Sequence, residues 1–359
     1  MSGSLTFTSM SSDRIAFCLA DDRSDCEIGL RLAILSLSRH CPNTPVYVYR
    51  PLLNPLFESW LRQFRQVTLI PHAPEGAATW NCKPQALKPL LEKHRDVVWL
   101  DSDIIVTRDC TSLFTGLDER ILGVAQEPAS LPRQGTAERT RGWGLEVGRS
   151  LAITLNSAVL RVTKRHIPLL DRWAECLADP RYTASQAVPL EQRPLHFMSD
   201  QDVLNALLGA REFADVPLRV FGTGSDIIHA GGALGYSIGE RLRGLSKPKP
   251  TFLHATAGKP WLWLGGAPLW SQRNFFGWYR RLLQEMSPYL YEARHYKDQL
   301  DERPDWMFHR TAVGTVLRLI GFGHFALRGM PLTIAAGIME AAKKTPQPVQ
   351  KPQGETASA

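Results

Sequence analysis

An apolar run that carries two carboxylates in its middle, Val97–Val106 (VVWLDSDIIV), constrains this chain more than any other stretch. Runs of this kind, rich in β-branched residues, form buried strands, and an acid enters such a place only with a partner. On an extended strand positions i and i+2 face one side, so Asp101 and Asp103 converge on one point while Ser102 faces away. Two desolvated carboxylates repel, and a divalent cation removes the conflict by accepting oxygen ligands from both. A pair of solvated acids at a strand end is the plainer reading of the same triplet.

The surrounding pattern gives that run its setting. Arg14–Ala20, Val46–Tyr49, Val67–Ile70 and Asp96–Leu100 read as strands, with helical patterns over Glu27–His40 and Gln85–Lys93 between them. Strands alternating with helices make an α/β fold, an open and largely parallel sheet with helices on both faces. Ligands of such sheets bind outside the carboxyl ends of the strands, where the strand order reverses. That rule singles out Ala20–Asp22, Asp101–Asp103, and Asn156–Ser157 beside the run Leu160–Val162.

Composition removes several classes. With 359 residues, 44% of them hydrophobic, the chain is neither disordered nor a coiled coil. Its net charge of +7 suits anionic partners, yet no basic block, zinc-finger spacing or aromatic RNA-binding motif accompanies it, so nucleic acid is not expected. Six scattered cysteines without a C-x-x-C pair read as reduced thiols of a cytoplasmic protein. No leader pattern opens the chain, and no uncharged run nears the roughly 18 apolar residues of a membrane span.

Two further stretches carry polar groups where a strand or helix begins or ends. In Phe252–Trp261 an apolar pair leads to His254, a loop of small residues and Lys259. A neutral imidazole is a good third ligand for a metal such as Mn2+, and an ammonium group suits a phosphate; a core histidine and a solvated lysine are the plain alternatives. In Phe197–Leu208, Ser199 or Asp200 reads as the N-cap of an amphipathic helix. Capping explains one acid of Asp200-Gln201-Asp202, and the remaining carboxylate and amide groups suit sugar hydroxyls.

Taken in order, Ala20–Asp22, Leu100–Asp103, Asn156–Ser157, Asp200–Asn205 and His254–Trp261 resemble the motifs of family 8 glycosyltransferases, the retaining GT-A group that includes bacterial lipopolysaccharide galactosyl- and glucosyltransferases and glycogenin. The resemblance spans roughly residues 13 to 262. It implies a GT-A type, Rossmann-like mixed sheet flanked by helices, and transfer of a hexose from a UDP-sugar to a saccharide or lipid-linked glycan. It further implies that Asp101, Asp103 and His254 hold Mn2+ or Mg2+. Asp21, Asp22, Lys83, Ser102, Asn156 and Lys259, together with Asp101, would contact the donor, and Asp200 and Gln201 would surround the reacting centre. Two departures stand out: Lys259 follows His254 by five positions where the family has six, and Ala158 follows Asn156-Ser157 where glycine is commoner. Same-face attack is preferred over a covalent intermediate on a carboxylate, and both remain open.

Other readings compete. A strand ending in Asp101-Ser102-Asp103 also resembles the aspartyl-phosphate motif of haloacid-dehalogenase-like phosphatases, and a sugar- or lipid-binding module without catalysis would keep the same fold. The expected organisation is a catalytic domain over 13–270, a helical extension over 271–342 and a disordered tail over 343–359. Acceptor recognition is expected in the loops Glu127–Arg149 and Phe221–Lys249, and the glycine-rich His229–Gly235 reads as a loop by the site. After residue 306 six basic residues face two acidic ones, which suits peripheral contact of 307–342 with an anionic membrane surface. Packing of this segment on the catalytic domain is the plainer alternative.

Overall fold

The computed structural model of the chain describes residues 15–52, 54–72, 79–127, 135–230, 236–256, 259–261, 275–300, 304–308, 310–320 and 324–343. Ten strands are described: β1 (Ile15–Ala20), β2 (Val46–Tyr49), β3 (Val67–Ile70), β4 (Asp96–Leu100), β5 (Ile104–Val106), β6 (Leu122–Gln126), β7 (Leu155–Val162), β8 (Leu218–Phe221), β9 (Ile227–His229) and β10 (Phe252–His254). Seven of them form a mixed sheet in the order β3-β2-β1-β4-β7-β6-β8, and β5-β10-β9 form a smaller second sheet. Among the neighbours β3, β2, β1 and β4 every pairing is parallel. Beyond β4, β7 runs antiparallel to both β4 and β6.

Helices cover both faces, so the sheet lies between two apolar layers. One layer joins the helix Glu27–His40 to β1, the second sheet and residues near the carboxyl end such as Tyr289, Tyr296 and Trp306. The other joins the helices Lys83–Leu91, Ile167–Leu177 and Asp200–Gly209 to the opposite side chains of β1, β4 and β7. Side-chain alternation along the strands is what divides them: Phe17 and Leu19 enter the first layer and Cys18 the second. Because Tyr289, Tyr296 and Trp306 share a core with Phe17, the described residues that carry them pack on the rest of the chain through apolar burial.

The chain crosses from β1 to β2 on one side and pairs β1 with β4 on the other, so the strand order reverses at β1. Two local findings differ from the sequence expectations. The run Val97–Val106 is broken: β4 ends at Leu100, residues 101–103 form a turn, and β5 belongs to the other sheet. The helix expected over Gln85–Lys93 begins at Lys83 and ends at Leu91, with Pro84 in its first turn, where the missing N–H costs nothing. That earlier start brings Lys83 onto the rim of the sheet.

All six cysteines are free and buried, as the reading of reduced thiols requires. No helix among the described residues is long and apolar enough to cross a membrane. The tail from residue 344 and the stretch 231–235 of the glycine-rich loop lie outside the described residues. His229 is not part of a loop: it closes β9 and is buried.

Candidate active site

A cavity of about 430 Å3 opens at the reversal point, and Asp21, Asp22, Lys83, Asp101, Ser102, Asp103, Asn156, Asp200, Gln201, His254 and Lys259 all line it. They arrive from six places in the chain: the ends of β1, β4 and β10, the interior of β7, and the first turns of the helices Lys83–Leu91 and Asp200–Gly209.

Asp101 and Asp103 do converge, though by a turn and not by strand alternation. The Asp101 N–H donates to the Ala158 carbonyl at 2.9 Å, and Ile104 N–H donates back to the Asp101 carbonyl at 3.1 Å, which pins the turn between the two sheets. Register then supplies the third group, because β10 pairs antiparallel with β5 and sets His254 opposite Ile104. His254 Nε2 lies 3.3 Å from Asp103 Oδ1 and 3.8 Å from Asp101 Oδ2. One ligand atom from each of the three residues falls within 4.8 Å of the others. Two carboxylate oxygens and an imidazole nitrogen are a fitting donor set for a divalent metal ion.

The tautomer of His254 follows from its neighbours. His229 Nε2 lies 2.8 Å from the Gln126 carbonyl, which can only accept, so that nitrogen carries the proton. His229 Nδ1 then accepts from His254 Nδ1 at 3.0 Å. His254 therefore keeps its Nδ1 proton and turns Nε2 toward the two acids, where Nε2 donates to a carboxylate while the ring is charged and offers its lone pair to a cation when the ring is neutral. Burial, helped by His254, holds the His229 pKa down at about 3, so the ring stays a neutral acceptor.

Two lysines balance the acids. Lys83, buried, donates to Asp101 at 3.1 Å, to Asp200 at 3.0 Å and to Ser157 Oγ at 2.6 Å. Burial works against its charge, but Asp101 and Asp200 outweigh it and raise its pKa. Lys259 pairs with Asp103. Burial pushes the Asp103 carboxyl up, yet His254 and Lys259 hold it well below the ordinary carboxylate range. Asp101 is likewise lowered, with Lys83 and His254 overcoming burial, and it accepts from Trp99 Nε1 at 2.7 Å.

A neutral amide network faces this charged cluster. Asn156 Nδ2 donates to Glu127 at 2.6 Å and to Gln201 Oε1 at 3.0 Å, and Gln201 Nε2 donates to Glu127 at 3.1 Å. Burial raises the Glu127 pKa, with the Asn156 hydrogen bond opposing. Asp200 accepts from Ser157 at 3.0 Å as well as from Lys83, and burial still leaves its pKa raised. On the opposite wall Arg23 clamps Asp21 through its backbone N–H at 2.9 Å and its guanidinium at 3.1 and 2.9 Å, while Ser102 donates to Asp21.

Some residues in the singled-out motifs have other work. Asp202 accepts from Arg139 at 2.7 Å and from Ser199 Oγ at 2.7 Å, locking the helix Thr136–Gly142 to Asp200–Gly209. Ser199 is the N-cap by position, but its hydroxyl serves Asp202 and makes no capping bond. Glu127, expected in an acceptor loop, stands in the cavity itself; the strand-end rule finds it, because it directly follows β6. His229 had no such signal. Gly29 is required by close approach: a Cβ there would lie 2.6 Å from the Trp261 ring and 3.2 Å from the Ser102 carbonyl, behind the acidic turn.

No family model and no curated protein matches this chain. Its structure is similar to that of the galactosyltransferase LgtC in complex with donor and acceptor sugar analogs, at 16% identity over 79% of this chain and 100% of that one, TM-score 0.46. It is also similar to the glycosyltransferase GlyE of Streptococcus pneumoniae TIGR4, at 18% identity over 80% and 64% of the two chains, TM-score 0.43. A third similarity is to the WbbM bifunctional glycosyltransferase in its apo form, at 11% identity over 84% of this chain and about half, 52%, of that one, TM-score 0.47.

Proposed function

We propose that this chain is a metal-dependent, retaining glycosyltransferase that moves a hexose from a UDP-sugar to a saccharide or lipid-linked glycan. The observation that carries the reading is that one possible ligand atom from each of Asp101, Asp103 and His254 lies within 4.8 Å of the others, beside Asp200, Gln201 and two lysines, in a cavity large enough for a small polar substrate. A phosphatase built on Asp101 as nucleophile leaves His254 beside both acids without a role.

Asp101, Asp103 and His254 would hold Mn2+ or Mg2+, which when bound supplies positive charge to the donor diphosphate. The remaining work belongs to the protein's own groups. Departure of the nucleoside diphosphate concentrates negative charge on its oxygens, and Lys259, drawn from Asp103, would meet that charge as it grows. Asp21, held rigid by Arg23, and Asp22 would position the uracil end. Asn156 and Gln201, oriented by Glu127, present amide groups to the sugar hydroxyls. Asp200 has one oxygen committed to Lys83 and Ser157, which supports a same-face attack in which it stabilises the positive sugar ring without bonding to it. In that scheme the leaving phosphate takes the acceptor's proton.

The proposed setting is cytoplasmic, with the basic segment 307–342 against an anionic membrane surface that presents the acceptor. UDP release is measured with UDP-glucose and UDP-galactose, with Mn2+ and with a chelator. Metal-dependent turnover that falls at least 100-fold in Asp101→Asn and Asp103→Asn is expected, on the order of one lost transition-state contact. Turnover indifferent to the chelator, or hydrolysis of generic phosphoesters instead, overturns the reading.

A further inference from the structure

Cys41 and Cys110, 69 positions apart in the chain, meet in the apolar layer of the helix Glu27–His40 with their sulfurs 3.7 Å from each other. Each sits on a fixed backbone. Cys41 closes that helix, its N–H donating to the Leu37 carbonyl at 2.7 Å and its carbonyl accepting from the Thr44 N–H at 3.1 Å. Cys110 follows Asp109, whose carboxylate accepts from the Thr111 N–H at 2.9 Å, and the Cys110 carbonyl accepts from the Leu113 N–H at 3.1 Å. Both cysteines are buried, but the chain beside them surfaces at once: Pro42, Asn43, Asp109 and Ser112 are exposed.

We propose that Cys41 and Cys110 are a redox modification site, closed by a hydroperoxide into one intrachain disulfide and reopened by thiols. The remaining approach, from 3.7 Å to the roughly 2 Å of the bond, asks for side-chain rotation and no new fold. The two sulfurs are not equivalent. Cys41 S–H donates to Asp109 Oδ1 at 3.7 Å, which leaves its sulfur to accept from Cys110. That donation lowers the Cys41 pKa, against burial and Asp109, while burial and then Cys41 raise the pKa of Cys110. Cys41 is therefore the sulfur that ionises first and attacks.

With hydrogen peroxide the Cys41 sulfur bonds to one oxygen, the O–O bond breaks, and the other oxygen leaves as water, giving a sulfenic acid on Cys41. The Cys110 sulfur then bonds to the Cys41 sulfur as the S–O bond breaks, and a second water leaves with the Cys110 proton. Two thiols are oxidised by two electrons in all, and the peroxide is reduced to two waters. The bond staples the helix Glu27–His40 to the segment that leaves the acidic turn. These already meet where the Val106 N–H donates to Ser36 Oγ at 3.0 Å and where Gly29 lies against the Ser102 carbonyl. Neither cysteine lines the first cavity, so the site is independent of how sugar transfer works there.

The test is peptide mapping of the full-length protein after hydrogen peroxide, at a dose that leaves its circular dichroism unchanged. Remaining thiols are blocked with N-ethylmaleimide in denaturant before a non-reducing digest. A peptide pair joined through Cys41 and Cys110 is expected in chains that run as monomers, with both thiols recovered by dithiothreitol. Cys18, Cys26, Cys82 and Cys176, also buried and free, should still be alkylated. Dimedone should label Cys41 in Cys110→Ser at about tenfold or more the level of Cys110 in Cys41→Ser, and equal labelling overturns the order of attack. Should either serine variant fail to fold, the map of the wild type decides the proposal by itself. Cys41 and Cys110 both alkylated after a peroxide dose that fully oxidises free glutathione, a cross-link to any other cysteine, or linkage between chains alone overturns the inference.

Discussion

Replacing His229 by phenylalanine tests whether the ring behind His254 sets the metal site. The histidine is 2% exposed and makes two hydrogen bonds, to the Gln126 carbonyl at 2.8 Å and to His254 at 3.0 Å. Phenylalanine fills similar volume and removes both. Each buried bond contributes roughly 1 kcal/mol, and leaving the Gln126 carbonyl unpaired adds roughly 1–3 kcal/mol, so the fold should lose about 3–5 kcal/mol and survive in a domain of ordinary stability. The functional effect is separate. Without an acceptor at Nδ1, the His254 proton is free to move to Nε2, where Asp103 at 3.3 Å accepts it and the lone pair is lost to a cation. Partners that orient a ligating histidine are worth about 10- to 100-fold in metal affinity. Mn2+ affinity is read from the free-ion signal in electron paramagnetic resonance on the apo protein, alongside a thermal melt. A folded variant that binds Mn2+ within twofold of the wild type would refute the tautomer argument.

Lys83→Met should destabilise the fold by about 3–5 kcal/mol, because it strands the buried Asp200, and the half-buried Asp101 beside it, without their cation; urea unfolding measures this, and a loss under 1 kcal/mol shows that solvent reaches both acids. Gly29→Ala should cost about 1–3 kcal/mol and also weaken Mn2+ binding, since the new Cβ presses on Trp261 and on the Ser102 carbonyl; full affinity with a lowered melting point would separate the helix from the turn. Stability should fall on acidification through His166, whose pKa burial lowers from 6.5 to about 4. Between those values the unfolded chain binds the extra proton, so stability rises with pH across the window and is lost as pH falls through it, by roughly 2.5 kcal/mol between pH 7 and 4.5. His166→Gln should shallow that slope in urea titrations at the two pH values, and an unchanged slope assigns it to other groups.

Local sequence was enough for whatever depends on neighbours along the chain. The continuous apolar runs in Ile15–Ala20 and Asp96–Leu100 follow from strands buried on both faces, and the amphipathic pattern of Glu27–His40 from which side chains can share one face of a helix. The strand-end rule located Asp22, Asp101 and Asp103, and it reaches Glu127 when applied to Leu122–Gln126. Relations between distant segments were decided by the tertiary structure. The chain leaves one sheet at Leu100 and joins another at Ile104, which puts the two acids on a turn, and only the pairing of β5 with β10 sets His254 beside them. The same packing spends Asp202 on Arg139 and places His229 behind the third ligand. Nothing along the chain encodes such partners, because a register between strands about 150 positions apart is selected by burial of the whole sheet and not by any local preference.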